Sequence, residues 1–332
     1  MADASIHLIV TSPPYPMIQM WDGVFEALAP DCAAPLAAGQ GGLAFEAMHR
    51  ALDAAWAECA RALVPGGFLA VNIGDATRSL GGGFALYPNH ARVITALMRL
   101  GLTPLPDILW RKPTNAPNKF MGSGMLPGGA YVTYEHEYVL IFRRAGRRAF
   151  SAADKLRRAE SAYFWEERNA WFSDLWTDLR GTPQRLGRDG ARARSAAFPF
   201  ELPYRLIQMY ALAGDTVLDP FAGTGVTAAA ALASGRSSVS VDRAPELRAV
   251  AQESALQGVA LGQRRAAERL AAHRAFIAAR EAEGKRAAHT NAAYGVPVIT
   301  RQEVCLRLRV PLSATVEREG LVRAQHGYLE PG

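Results

Sequence analysis

The stretch Thr216-Val-Leu-Asp-Pro-Phe-Ala-Gly-Thr-Gly225, with the small-residue run Val226 to Ala233 and then Ser238-Val-Ser-Val-Asp242, decides the fold. A short apolar run that stops at Pro220 reads as a buried strand, the glycines as a loop and Val226 to Ala233 as a helix. Ser238 to Val241 is the next strand, so the unit is βαβ. The glycines let the backbone approach a ligand closely, and the helix start offers unpaired N–H groups. Asp242 lies 17 residues past Gly225, at a strand end where an acid can accept both hydroxyls of a ribose. Strand, loop, helix and acid together describe a nucleoside site rather than a plain tight turn. A dinucleotide loop would carry a third glycine three positions after Gly225, where Ala228 stands, and Asp219 would repel a pyrophosphate. S-adenosylmethionine fits better, because an acid beside its sulfonium and ammonium groups is favourable.

Working outward, Ile6 to Val10 is a second buried strand that delivers the rigid loop Thr11-Ser-Pro-Pro-Tyr15. Residues 24 to 43 read as Ala/Gly/Pro-rich connection. Ala44 to Leu63 has helical spacing, with Phe45, Met48, Leu52, Trp56, Cys59 and Leu63 on one side. Phe68 to Ile73 is a strand and His90 to Leu100 a helix. Asp107 to Trp110 and Tyr138 to Phe142 are strands, separated by the Gly/Pro-rich loop Lys112 to Gly129. A helix follows Phe198-Pro199 and runs to Ala213. Ala244 to Glu283 is Ala/Arg-rich helix, and Val296 to Thr300 and Val304 to Val310 form a strand-like pair. Alternating strands and helices imply a mostly parallel sheet covered on both faces.

The Ser12-Pro13-Pro14-Tyr15 loop has a chemical reading of its own. An exocyclic amine of a base is a poor nucleophile because its lone pair is delocalised into the ring. Ser12 Oγ and a carbonyl fixed by prolines at Pro13 can accept both amine hydrogens, and Tyr15 offers a face for a flipped base. No covalent intermediate is needed. In a parallel sheet, ligands sit at the carboxyl ends of the strands, so this loop and the glycine loop converge. His7 and His136 read as strand-packing or hydrogen-bonded residues, and Asp75 either lines the pocket or caps a turn.

Among 332 residues, 49% are apolar and 20% charged, which suits one large α/β domain with an insertion or two ordinary domains. No window is apolar for the ~18 residues of a membrane span, and the start lacks a basic export signal. Three scattered cysteines, Cys32, Cys59 and Cys305, do not make a disulfide framework or zinc site, which points to a reducing, cytoplasmic setting. From Arg143 to Arg194, 13 basic residues face 7 acidic ones, and the rest of the chain carries 24 of each sign. The whole excess of +6 therefore lies in one segment. Tyr163, Phe164, Trp165, Trp171, Phe172 and Trp176 interleave with its arginines, a pattern that can fold around a small core and offer guanidinium and ring faces to phosphates and bases.

Taken together, Thr11-Ser-Pro-Pro-Tyr15 early, Asp219 to Gly225 late and a basic insert between them resemble the beta class of DNA amino-methyltransferases. Leu63-Val-Pro-Gly-Gly67, Trp110-Arg-Lys-Pro113, Glu135-His-Glu-Tyr138 to Phe142, and Phe198-Pro199 before Leu202 stand where that family has its lesser motifs. The resemblance implies a circularly permuted, Rossmann-like S-adenosylmethionine-dependent methyltransferase sheet with an inserted target-recognition region. Residues 1–143 and 195–286 would form the catalytic domain, 144–194 the insert and 287–332 a C-terminal extension. By resemblance, Asp219, Phe221, Gly223, Thr224, Gly225 and Asp242 contact the cofactor, Phe198 and Pro199 close its methionine end, and Ser12 to Tyr15 hold the base. Arg157, Arg158, Arg185 and Arg188 are the expected phosphate contacts. Double-stranded DNA is the implied partner, and the resemblance allows a homodimer and a cognate restriction endonuclease. Ten residues precede Thr11, where the family usually has a further cofactor segment, so the tail after Ala287 is the candidate for the missing edge strand. The family often has His before the Phe-Pro pair, whereas Ser195-Ala-Ala precedes Phe198 here.

Two readings compete. A protein or RNA methyltransferase with a related Pro-Pro-Tyr loop usually places the glycine loop first and prefers Asn or Asp at the position of Ser12. A non-catalytic DNA-binding protein with a methylase fold would not need both loops intact. By resemblance, Ser12 favours cytosine N4 over adenine N6 as the target.

Overall fold

Strand β1 (Ile6–Thr11) is the hinge of the architecture, because it pairs in parallel with two strands from opposite ends of the chain. The computed structural model describes residues 1–112, 121–181, 198–317 and 320–331. After β1 come helix α1 (Gly41–Ala62), β2 (Leu63–Ile73), α2 (Asn89–Arg99), β3 (Leu102–Pro104), β4 (Ile108–Arg111) and β5 (His136–Arg144). The second half contributes β6 (Leu175–Trp176), α3 (Glu201–Tyr210), β7 (Thr216–Asp219), α4 (Val226–Ala233), β8 (Ser237–Ser240) and α5 (Leu247–Ala282). The eight strands form one sheet in the order β6-β4-β5-β2-β1-β7-β8, with β3 also paired to β5. Only β5 runs against its neighbours. This is the mixed α/β sheet expected, with the glycine-loop unit placed last in the chain yet beside β1.

Both faces of the sheet are apolar, as continuous apolar strands require. Ile9, Leu69, Val71, Leu140, Phe142 and Leu218 pack with Met48, Leu52 and Trp56 of α1 and Leu97 of α2. Leu8, Val10, Ala70, Val139, Ile141 and Val217 face Leu202, Leu206 and Ile207 of α3 and Ala230 and Ala231 of α4. The alternation along each strand sends neighbours to opposite layers. Helix α5 reaches α4 through Gly258 and Gly262, where a Cβ would stand 2.7 Å from Ala229 O and 2.6 Å from Ala233 O. Only glycine permits so close an approach of two helix backbones.

Two expectations change, and the insert adds a further feature. Residues 24 to 43 are not mere connection, since they carry parts of the helices Asp22–Leu28 and Ala33–Ala37. The tail does not extend the central sheet: Arg309–Val316 and Val322–Tyr328 form their own antiparallel pair. That tail shares a core of Val298, Leu306, Leu308 and Val310 with Leu270 of α5 and Phe164 of the insert. The insert, finally, is built into the body, because β6 pairs with β4 through Leu175 opposite Leu109 and Trp176 opposite Trp110. Among the described residues, no helix is long and apolar enough to cross a membrane.

Candidate active site

The carboxyl ends of β1 and β7 open into one pocket of about 540 Å³, within the range of small-molecule sites. Ser12 to Tyr15 line one side and Asp219 to Thr224 and Asp242 the other. Gly223 and Gly225 have φ of +50° and +82°, in the left-handed region that glycine adopts freely, and Gly225 starts α4. A Cβ on Gly225 would lie 2.7 Å from Ala251 Cα, so this glycine also lets α5 close over the loop. Asp242 accepts N–H bonds from Gly223 at 2.8 Å on one oxygen and from Ala244 at 2.9 Å on the other. Each oxygen keeps a free lone pair at the exposed side, which suits two ribose hydroxyls.

Asp219 lines the pocket and also makes bonds across the fold. Its side chain accepts from Thr11 Oγ1 at 2.6 Å, Thr227 Oγ1 at 2.6 Å and Phe221 N at 3.1 Å. It therefore ties the ends of β1 and β7 to α4, and burial pushes its carboxyl up to about 6 against the pull of those donors. A place on the pocket wall and a role in holding the two loops together meet in this one residue.

A second network lies under the Ser-Pro-Pro-Tyr loop. Because β5 is antiparallel, its first residues stand at the carboxyl edge of the other strands, with Asn72 opposite Val139 and Ile73 opposite Tyr138. Glu137 thereby reaches the loop. Ser12 Oγ donates to Tyr15 Oη at 3.1 Å, and Tyr15 Oη donates to Glu137 Oε2 at 3.0 Å. Asn72 Nδ2 donates to Tyr15 Oη at 2.9 Å and to Glu137 Oε2 at 2.7 Å, and Lys112 Nζ donates to Glu137 Oε1. Burial, then the Glu137 charge, raises the Tyr15 phenol well above its usual range, so it stays protonated.

Of the other expected site residues, Phe198 lines the pocket, whereas Pro199 is not among its lining residues and its carbonyl accepts from Leu202 N at the start of α3. Asp75 accepts from His90 N and Nδ1 and from Tyr134 Oη, so it ties the start of α2 and the residues before β5 to the end of β2, and it is not among the residues lining the pocket. His7 Nδ1 accepts from Thr216 N, a packing role. Arg157 and Arg158 are not brought to this edge. Arg157 pairs with Asp154 at 2.5 Å and stands 3.7 Å from Asp215, the residue before β7, and Arg158 lies over the Phe150 ring. Asp215 to Asp219 spans four strand rises, roughly 13 Å, so these arginines sit at the opposite end of the sheet. Phe164, Trp171 and Trp176 are buried in the core rather than free to stack on bases. Arg185 and Arg188 lie outside the described residues.

The sequence reading missed Asn72, Lys112 and Glu137 as site residues, though the last two lie in the Trp110-Arg-Lys-Pro113 and Glu135-His-Glu-Tyr138 stretches. It also missed Val24 and Leu28 of the short helix Asp22–Leu28 and Trp21 just before it, which line the pocket. The spacing of Val24 and Leu28 was the available signal.

Residues 6–253 match the DNA methylase family of N6/N4 methyltransferases. The chain is 49% identical over 312 residues to the type II methyltransferase M.MthZI of Methanothermobacter thermautotrophicus, covering 93% of this chain and 86% of that protein. It is 44% identical over 262 residues to the type II methyltransferase M.MjaI of Methanocaldococcus jannaschii, covering 76% and 85% respectively. Among solved structures, TTHA0409 from Thermus thermophilus complexed with S-adenosyl-L-methionine superposes with a TM-score of 0.59 at 32% identity, over 78% of this chain and 88% of that one. With two loops converging on one pocket and a match spanning both, this chain belongs to the N6/N4 DNA methylase family.

Proposed function

We propose that the protein methylates the exocyclic N4 amine of cytosine in a short, specific duplex DNA site, with the base flipped into the pocket. The observation that carries this reading is the single pocket in which Ser12 to Tyr15 face the glycine loop and Asp242. S-adenosylmethionine is the cofactor, and it supplies an electrophilic methyl group. Asp242 holds the ribose, and the N–H groups of the glycine loop and the wall of Phe221 and Phe198 enclose the rest. Ser12 Oγ and the Pro13 carbonyl accept the two amine hydrogens, which turns the nitrogen lone pair toward the methyl group. Tyr15 positions the base by its ring.

Serine at position 12 favours cytosine by resemblance, because adenine-modifying relatives more often carry Asp or Asn there and a neutral hydroxyl is a weaker acceptor than an acid. Duplex DNA carrying random sequence, incubated with protein and cofactor, digested and resolved by mass spectrometry, tests the assignment. N4-methylcytosine as the product is expected. Methyladenosine as the only product would move the target to adenine N6 and leave the site chemistry in place.

A further inference from the structure

We infer that Glu137 is the terminal proton acceptor of methyl transfer, reached from the target amine through Ser12 and Tyr15, an inference that rests on the amine-transfer reading above. The direction of the chain is fixed by its two ends. Glu137 is an acceptor with donors on both oxygens, Lys112 on one and Tyr15 and Asn72 on the other. Asn72 must present its NH₂ to that carboxylate, since its carbonyl there would meet a like charge, and the same NH₂ reaches Tyr15 Oη. Tyr15 then accepts from Asn72, so its one proton points to Glu137 Oε2 and its second lone pair takes the Ser12 proton. With its own hydrogen turned inward, Ser12 Oγ presents only lone pairs to the pocket.

This polarity suits a proton that must leave. As the N–CH₃ bond forms and the S–CH₃ bond breaks, sulfur keeps the electron pair and the nitrogen becomes cationic. One amine proton passes to Ser12 Oγ, the Ser12 proton to Tyr15 Oη and the Tyr15 proton to Glu137 Oε2. The products are a neutral methylated amine, a thioether and a carboxylic acid. Tyr15 begins and ends protonated, in keeping with its buried phenol. Lys112, whose side chain is 38% exposed, marks the side from which Glu137 returns its proton to solvent.

Among the described residues, the charged or titratable groups bonded to Glu137 are Lys112, next after β4, and Tyr15 of the loop, while Asn72 of β2 faces it as a neutral amide. Glu137→Gln keeps the size and an oxygen for Tyr15 but cannot take a proton. Single-turnover transfer on duplex DNA with saturating cofactor is expected to slow about 10²-fold. Cofactor and duplex affinities should stay at the parent values. Tyr15→Phe, which keeps the ring and cuts the chain, should slow transfer similarly, and the double variant should be no slower than the slower single one. Should Glu137→Gln not fold, Tyr15→Phe decides by itself. A Glu137→Gln or Tyr15→Phe enzyme within threefold of the parent, or losses that multiply in the double variant, would overturn the relay while methyl transfer stands. A parent protein that makes no methylated DNA would overturn the amine-transfer reading and the relay with it.

Discussion

The two edges of the sheet solve opposite problems with similar residues. At the carboxyl edge, Ser12, Tyr15, Asn72, Glu137 and Lys112 form an ordered chain beside an open pocket, and Ser12 and Tyr15 line that pocket. At the amino edge, Arg148, Arg157 and His7 surround Asp215, whose side chain is wholly buried. Burial works to raise the Asp215 carboxyl, but Arg148 and the Leu212 N–H outweigh it and hold it low. The cations there are consumed in docking the insert on the ends of β1, β2 and β7. Arg148 and Arg157 are therefore spent on a buried carboxylate and not on a polyanion.

The largest effect expected of a single change falls at the amino edge. Arg148 donates to both oxygens of Asp215, and removing it leaves a buried carboxylate short of its main partner. Arg148→Ala should destabilise the protein by about 3 kcal/mol in denaturant unfolding and leave cofactor affinity unchanged. Ser12→Ala is the mirror case. It should slow methyl transfer about 10²-fold, or ~2.7 kcal/mol, while the unfolding midpoint moves by less than about 0.5 kcal/mol. If Arg148→Ala lowered cofactor affinity, or Ser12→Ala cost stability, the division between the edges would fail.

Asp219 lies between these cases, since it lines the pocket yet spends its oxygens on Thr11, Thr227 and Phe221. Its folded value of about 6 lies above the usual aspartate value of 3.8. The folded state then holds the proton more tightly, so this contribution to stability is full below about pH 4 and is lost as pH rises through about 6. In the cofactor-free protein the loss is on the order of 3 kcal/mol by neutral pH. Asp219→Asn should flatten that pH dependence of the melting temperature, and an unchanged slope would show that the carboxyl is ionised throughout.

Much of this was legible because it is local. The apolar runs at Ile6 to Val10 and Phe68 to Ile73, the helix pattern from Phe45 to Leu63, and the glycine loop with Asp242 need only a few neighbouring residues to read. Glu137 was not legible as a site residue, because its place depends on β5 running antiparallel to β2 across 65 positions. Thr11 and Asp219, 208 positions apart, meet only through the parallel pairing of β1 and β7. Aromatic residues interleaved with arginines gave a signal of a small core in Phe164, Trp171 and Trp176, whose burial closes those three rings to base stacking. Composition cannot say which side of a sheet a side chain will reach.

The smallest expected effect is the sharpest test of the comparison. A double Arg157→Ala, Arg158→Ala protein removes two positive charges from the insert, one placed beside Asp215 and one stacked on Phe150. For each phosphate that a protein ceases to neutralise, the slope of log affinity against log salt falls by about one unit. Because these two arginines stand at the amino edge, the double variant should bind duplex DNA with the parent slope, while losing some thermal stability. A double Arg185→Ala, Arg188→Ala protein should instead show a slope lower by about one unit for each phosphate set free, on our proposal that this part of the insert meets the DNA backbone. Both slopes come from one fluorescence-anisotropy titration series over salt, so a general change in net charge is controlled within the experiment. A lowered slope in the Arg157 and Arg158 pair would put DNA on the amino edge and remove the distinction drawn between the two ends of the sheet.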